Sequence, residues 1–142
     1  MKVKHLKLLI VLFHGLIFVA AGHGAGIILI LDIVGIYQIP AFFIDSSDFK
    51  LLSDFGNNIT LTIFFSLIGK LLILISLLFS FNLYKNVYTI MGLTSLFVSL
   101  RYLLVEYGFQ SVTSTIILLS STPFLISTIY LISRIIKTKK AL

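Results

Sequence analysis

Five ionisable side chains, His23, Asp32, Lys70, Arg101 and Glu106, lie in the middle or outer half of apolar runs in this 142-residue chain, and a sixth, His14, lies in the inner third of the first run. Lys70 is the most costly. It sits at the middle of Ile59–Phe81, which is long enough to cross a bilayer, and a lysine at that depth costs roughly 2.5–3.5 kcal/mol on insertion scales. It therefore needs a partner, a wet cavity or a route for its stem to the surface. At ~1.5 Å per residue, Lys70 lies ~16 Å from the outer edge and Arg101 ~9 Å below it, with Glu106 at the edge. His23 falls past the middle of the first apolar run and Asp32 near its outer end. One reading is a polar cavity that opens outward and takes a ligand or ion past these five residues. The other is structural: Arg101 snorkels to Asp32 or Glu106, while Lys70 buries its stem and bonds a carbonyl or a serine. Arg101 and Glu106 are five apart, ~140° around a helix, so Asp32 is the better partner for Arg101. On a continuous helix His14 and Asp32 share a face but stand ~27 Å apart, which rules out a direct pair.

Other chemistries find no support. The chain has no cysteine, which removes disulfides, thiolate metal sites and cysteine nucleophiles. Its three histidines, His5, His14 and His23, lie in one segment, whereas two axial haem ligands must come from facing helices. A metal site of His23 with a carboxylate has no motif spacing behind it. No nucleophile–base pair, phosphate loop or paired-carboxylate pattern is present. No catalytic residue, metal or cofactor is assigned, and an enzyme is not indicated.

The elements that position these residues follow from hydropathy. Of the chain, 58% is hydrophobic and 11% charged, with a mean hydropathy of +1.13. Soluble domains carry about 25% charged residues, so lipid must be the main solvent. The fold class expected is an all-α, four-helix transmembrane bundle in a single domain. Its spans are 8–37, 59–81, 87–107 and 112–136, with an outer loop at 38–58. Val19-Ala20-Ala21 resembles a signal-peptidase site, but the apolar run continues through IILILDIVGI, which favours an uncleaved span. Pro40 stops or redirects the first helix. In the loop, Ser46 or Ser47 can cap a short surface helix bearing Phe49, Leu52 and Phe55, or the segment is an ordered loop. The turn at 82–86 makes spans two and three antiparallel neighbours. Pro123 interrupts the fourth span, with Ser120, Ser121 and Thr122 placed to bond the carbonyls it frees.

The net charge of +6 does not form a nucleic-acid patch. Eight of the eleven Lys and Arg lie in the N-terminal head, the 82–86 turn and the C-terminal tail, and the 38–58 loop is acidic. The positive-inside rule then puts both termini in the cytoplasm, in a multi-pass protein of a bacterial plasma membrane.

Small residues mark the contacts. Gly15, Gly22 and Gly26 fall near one stripe of the first helix, which lets another helix approach closely. Gly92, Ser95, Ser99, Tyr102 and Glu106 share one side of the third. That side suits either a polar interior or a packing face with Tyr102 in the interfacial belt. Gly15-Leu-Ile-Phe18-Val-Ala-Ala-Gly22 resembles the G-x-x-F-x-x-x-G opening helix of DoxX-like small membrane proteins, and SLIGKLLILISLL of the second span is similar in texture. The resemblance covers the topology and about thirty residues. It implies four spans and a long first outer loop; the acidic residue common in that family's second helix is replaced here by Lys70. No functional residue transfers.

Two functions follow. The first is an accessory or assembly subunit of a membrane complex, with a protein partner or a second copy docking on the first or fourth span. The second is a small transporter, or a lipid- or small-molecule-binding protein, with an outward polar cavity. An immunity-type protein also fits the size and topology.

Overall fold

The computed structural model describes residues 3–21, 24–44, 56–108 and 111–140. Their order is α1 (Val3–Gly15), β1 (Phe18–Ala21), β2 (Gly24–Ile27), α2 (Ile28–Ile44), α3 (Gly56–Ile75), α4 (Asn82–Tyr107) and α5 (Val112–Lys140). Among the described residues, three helices are long and apolar enough to cross a membrane, at Asn58–Ile75, Leu83–Tyr107 and Val112–Lys137.

The first apolar run departs from expectation. It is not one helix over 8–37 but two helices separated by an antiparallel hairpin, in which Phe18 pairs with Ile27 and Ala21 with Gly24. The physical cause lies in residues 22–26, where three of five are glycine. Each glycine costs a helix about 1 kcal/mol relative to alanine. Phe18 and Val19 favour extended backbone instead. Non-helical backbone among apolar helices must be covered by protein. Val19 is buried, and the Phe18 N–H donates to Ser120 Oγ of α5 at 3.0 Å.

The hairpin leaves the path of the chain and returns to it. The Ile28 N–H donates to the Ile17 carbonyl at 3.0 Å, so α2 starts where α1 stopped. Three contacts then fix the two helices along α3, running in the opposite direction. Lys7 of α1 meets Ser76 just after α3; Gly15 and Asp32 meet Lys70; and Gly35 of α2 meets Ile63 and Leu67. A Cβ on Gly35 would stand 2.3 Å from Ile63 Cγ2, so α2 approaches α3 as closely as a glycine permits. α1, with 13 residues, is ~20 Å long, too short to cross a ~30 Å core alone.

Other boundaries also shift. α2 passes through Pro40 to Ile44 rather than stopping there. Proline costs such a helix one backbone bond, and apolar helices tolerate it. α3 ends at Ile75 and α4 begins at Asn82, so the turn is at 76–81. Ser76 Oγ turns back onto the Ile73 carbonyl at 2.5 Å and accepts from Lys7, which helps end the helix there. The expected surface helix around Phe49, Leu52 and Phe55 lies outside the described residues.

α3 and α4 form an antiparallel pair built on small residues. A Cβ on Gly69 would lie 2.9 Å from the Gly92 carbonyl oxygen, and one on Gly92 would lie 2.9 Å from that of Gly69. Ser95 Oγ donates to the Phe65 carbonyl and Ser99 Oγ to that of Thr62, each at 2.8 Å. Tyr102 stacks on Phe65, with centroids 5.8 Å apart. The Gly92–Ser95–Ser99–Tyr102 side of α4 is thus a packing face against α3. α5 continues through Pro123. Its hydroxyls bond the carbonyls of Ile117 and Leu118, not that of Leu119, whose bond the proline removes. The core gathers around Ile10, Ile17, Ile28, Ile73, Leu96 and Phe124.

Candidate functional site

The site forms where α1 gives way to α2. Asp32 is one turn into α2, and its carboxylate is ion-paired and hydrogen-bonded to the Lys70 ammonium of α3. Both residues are buried, Asp32 at 3% exposure and Lys70 at 8%. The ammonium also lies against the C-terminal end of α1, because a Cβ on Gly15 would be 3.6 Å from Lys70 Nζ. That end carries the negative pole of the helix dipole, which favours a cation. The sequence reading placed Asp32 opposite Arg101. The structure pairs it with Lys70 instead, because the hairpin takes up residues 18–27 sideways and keeps Asp32 level with the middle of α3.

His14, fully buried in the last turn of α1, completes the arrangement. Its Nε2 lies 3.3 Å from the Leu96 carbonyl, and its ring stands edge-on to Phe124 with centroids 5.1 Å apart. A carbonyl only accepts, so Nε2 carries the hydrogen, and Nδ1 of a neutral ring is then an acceptor. The next residue, Gly15, is the one whose Cβ would stand 3.6 Å from Lys70 Nζ. The ~27 Å that a continuous helix places between His14 and Asp32 is therefore gone: one ammonium serves the neighbourhood of both. Ser66, one turn before Lys70 on the same face of α3, faces the Asp32 carboxylate.

Three atoms here are buried without a hydrogen-bond partner among the described residues: Asp32 Oδ1, Ser66 Oγ and His14 Nδ1. An unmet buried polar group costs about 1–3 kcal/mol. Two of the three accept and the third, a hydroxyl, can do either. The set suits a small guest that brings hydrogen-bond donors.

The remaining expected residues are elsewhere. Glu106 accepts from Asn58 Nδ2 at 3.0 Å, and Asn58 is ~18 Å along α3 from Lys70. Arg101 is exposed, its guanidinium 5.9 Å from the ring centroid of the adjacent Tyr102. His23 and Gly22 lie outside the described residues. Gly15 ends α1 and Gly26 is in β2, so they do not share a helical stripe. Sequence reasoning missed His14 and Ser66 as members of the site. Ser66 had a signal, standing four residues from Lys70 on one helix face; His14 had none while the first span was read as continuous. Among the described residues no group of three His, Asp or Glu is placed to hold a metal ion. No family model matches the chain, and no curated protein or solved structure is significantly similar to it.

Proposed function

We propose that this is a small multi-pass membrane protein that binds a small, donor-bearing polar solute at the junction of α1 and α2, and passes it across the bilayer. The reading rests on one observation: a buried Lys70–Asp32 pair, with the Ser66 hydroxyl facing the carboxylate, set at the junction of two half-helices. Discontinuous helices that expose half-helix ends beside buried charges are the usual construction of solute and ion sites in transporters. A buried ion pair is weak evidence for a purely stabilising role, which leaves room for a functional one. The accessory-subunit reading drew on a glycine stripe in the first span and on the small-residue face of the fourth; the hairpin occupies the first of these stretches.

In this proposal α1 and α2 together make one crossing antiparallel to α3, α3 to α5 make three more, and the basic ends of the chain face the cytoplasm. Support comes from the three successive contacts along α3 and from the positive-inside rule. The direct test is thermal unfolding of the purified protein against a panel of small amines, polyols and monovalent cations. At least one should raise the unfolding midpoint of the wild type and not of Asp32→Asn or Lys70→Met. A panel without effect, or equal effects on all three proteins, would count against the reading.

A further inference from the structure

The β1–β2 hairpin carries backbone groups with no partner. An antiparallel ladder alternates pairs whose N–H and C=O groups point at each other with pairs whose groups point away. The Ile28 N–H donates to the Ile17 carbonyl, which fixes the phase. Val19 with Gly26 and Ala21 with Gly24 therefore bond across the ladder, while Phe18 with Ile27 and Ala20 with Ala25 turn their groups outward. The Phe18 N–H agrees with this phase, because it leaves the ladder to reach Ser120 Oγ of α5 at 3.0 Å.

The two edges have different surroundings. β1 packs against α5, and β2 against α2, the helix it leads into. Ala25 of β2 is exposed, and its outward N–H and C=O meet no acceptor or donor among the described residues. Gly26 beside it leaves the edge open: a Cβ there would find only Ile30 Cδ1 within 4 Å, at 3.8 Å.

This edge lies at membrane depth. The hairpin springs from Ile17 and Ile28, both buried in the core, just past the Gly15 that stands against Lys70. It is tied to Ser120, ~12 Å into the apolar span of α5. Hydrocarbon cannot hydrogen-bond a free amide, so non-helical backbone at that depth is either buried in protein or lines water. Ala25 is not buried. Water also suits what adjoins it, since α2 starts three residues after Ala25 and carries Asp32 one turn in.

We propose that the outer edge of β2, at Ala25, lines an aqueous inlet that runs along the first turn of α2 to the Lys70–Asp32 site. Its occupants are water and the polar groups of the incoming solute: the free N–H donates and the free carbonyl accepts. The use of the inlet rests on the solute-binding reading above, whereas its hydration is measured separately.

The chain has no cysteine, so Ala25→Cys reports on the edge. Ile126→Cys is the reference, 62% exposed midway along the span of α5, where it should face hydrocarbon. A small, positively charged methanethiosulfonate is applied to both faces of membrane vesicles that hold the full chain. The thiolate it reacts with forms in water, so Ala25→Cys should be labelled and Ile126→Cys left unmodified. Hydrogen exchange of the wild type in nanodiscs reads the backbone itself. The Ala25 amide should exchange faster than that of Gly26, which the ladder turns toward Val19. An unlabelled Ala25→Cys, or an Ala25 amide as protected as that of Gly26, overturns the proposal. So does disulfide cross-linking of Ala25→Cys between chains, which places a second copy on the edge. Should Ala25→Cys fail to fold, the exchange of the wild type decides. Ser66→Cys separates the inlet from the site. If Ser66→Cys is labelled and Ala25→Cys is not, the site stands and the inlet is wrong. If Ala25→Cys is labelled and Ser66→Cys is not, the edge is wet and the solute-binding reading fails.

Discussion

The backbone N–H of Ile28 donates to the carbonyl of Ile17 at 3.0 Å, across a hairpin of ten residues. This bond restores the path of the first apolar run after its interruption. It keeps Asp32 level with Lys70 and brings the last turn of α1 to the same place. The polar site depends on that interruption.

Breaking the Lys70–Asp32 pair from one side should cost more than removing it altogether. Lys70→Met and Asp32→Asn each leave a buried group unpaired, and losses of about 3–5 kcal/mol are typical for such changes. The double variant should recover most of the loss. Unfolding midpoints of the four proteins in one detergent give the coupling directly; additive losses would mean that the two groups do not interact.

The α3–α4 crossing should be intolerant of any side chain. Gly69→Ala and Gly92→Ala each place a methyl 2.9 Å from backbone oxygen, and overpacking of this kind costs about 1–3 kcal/mol. Gly26→Ala has only Ile30 Cδ1 within 4 Å, at 3.8 Å, and should change the midpoint little. Similar midpoints for all three variants would contradict this packing.

The hairpin should depend on its tie to α5. Ser120→Ala removes the acceptor of the Phe18 N–H and leaves a donor unmet, a cost of about 1–3 kcal/mol. Ser120→Thr keeps the hydroxyl and should retain most of the stability. Protection of the Phe18 amide from hydrogen exchange should fall in the alanine variant and survive in the threonine one.

How much of this was legible before the structure differs from residue to residue. Three long helices followed from apolar length over 59–81, 87–107 and 112–136, although the first of these ends at Ile75. The hairpin was not legible as a break because Phe18–Ile27, though less apolar than its flanks, holds no Asp, Glu, Lys or Arg that would end a span. The glycine cluster at 22–26 was the available signal, and read as a packing stripe it pointed to a partner instead of a break. The Asp32–Lys70 pairing was hidden by the same error: on a continuous helix Asp32 falls near the outer end, beside Arg101. That Gly92, Ser95 and Ser99 share a face was legible from their spacing, because residues at intervals of three and four line up, but spacing left a polar interior and a packing face both open.

The most direct test asks whether a water-borne reagent reaches the junction of α1 and α2 through the membrane. The chain has no cysteine, so a single Ser66→Cys gives a clean report, with buried Ile73→Cys on the same helix as reference. In intact cells a small, positively charged methanethiosulfonate should label Ser66→Cys and leave Ile73→Cys unmodified. Asp32→Asn in the same background should slow the labelling by removing the carboxylate that attracts the reagent. If Ser66→Cys is as inert as Ile73→Cys in the folded protein, the polar cluster is sealed and the solute-binding account is wrong.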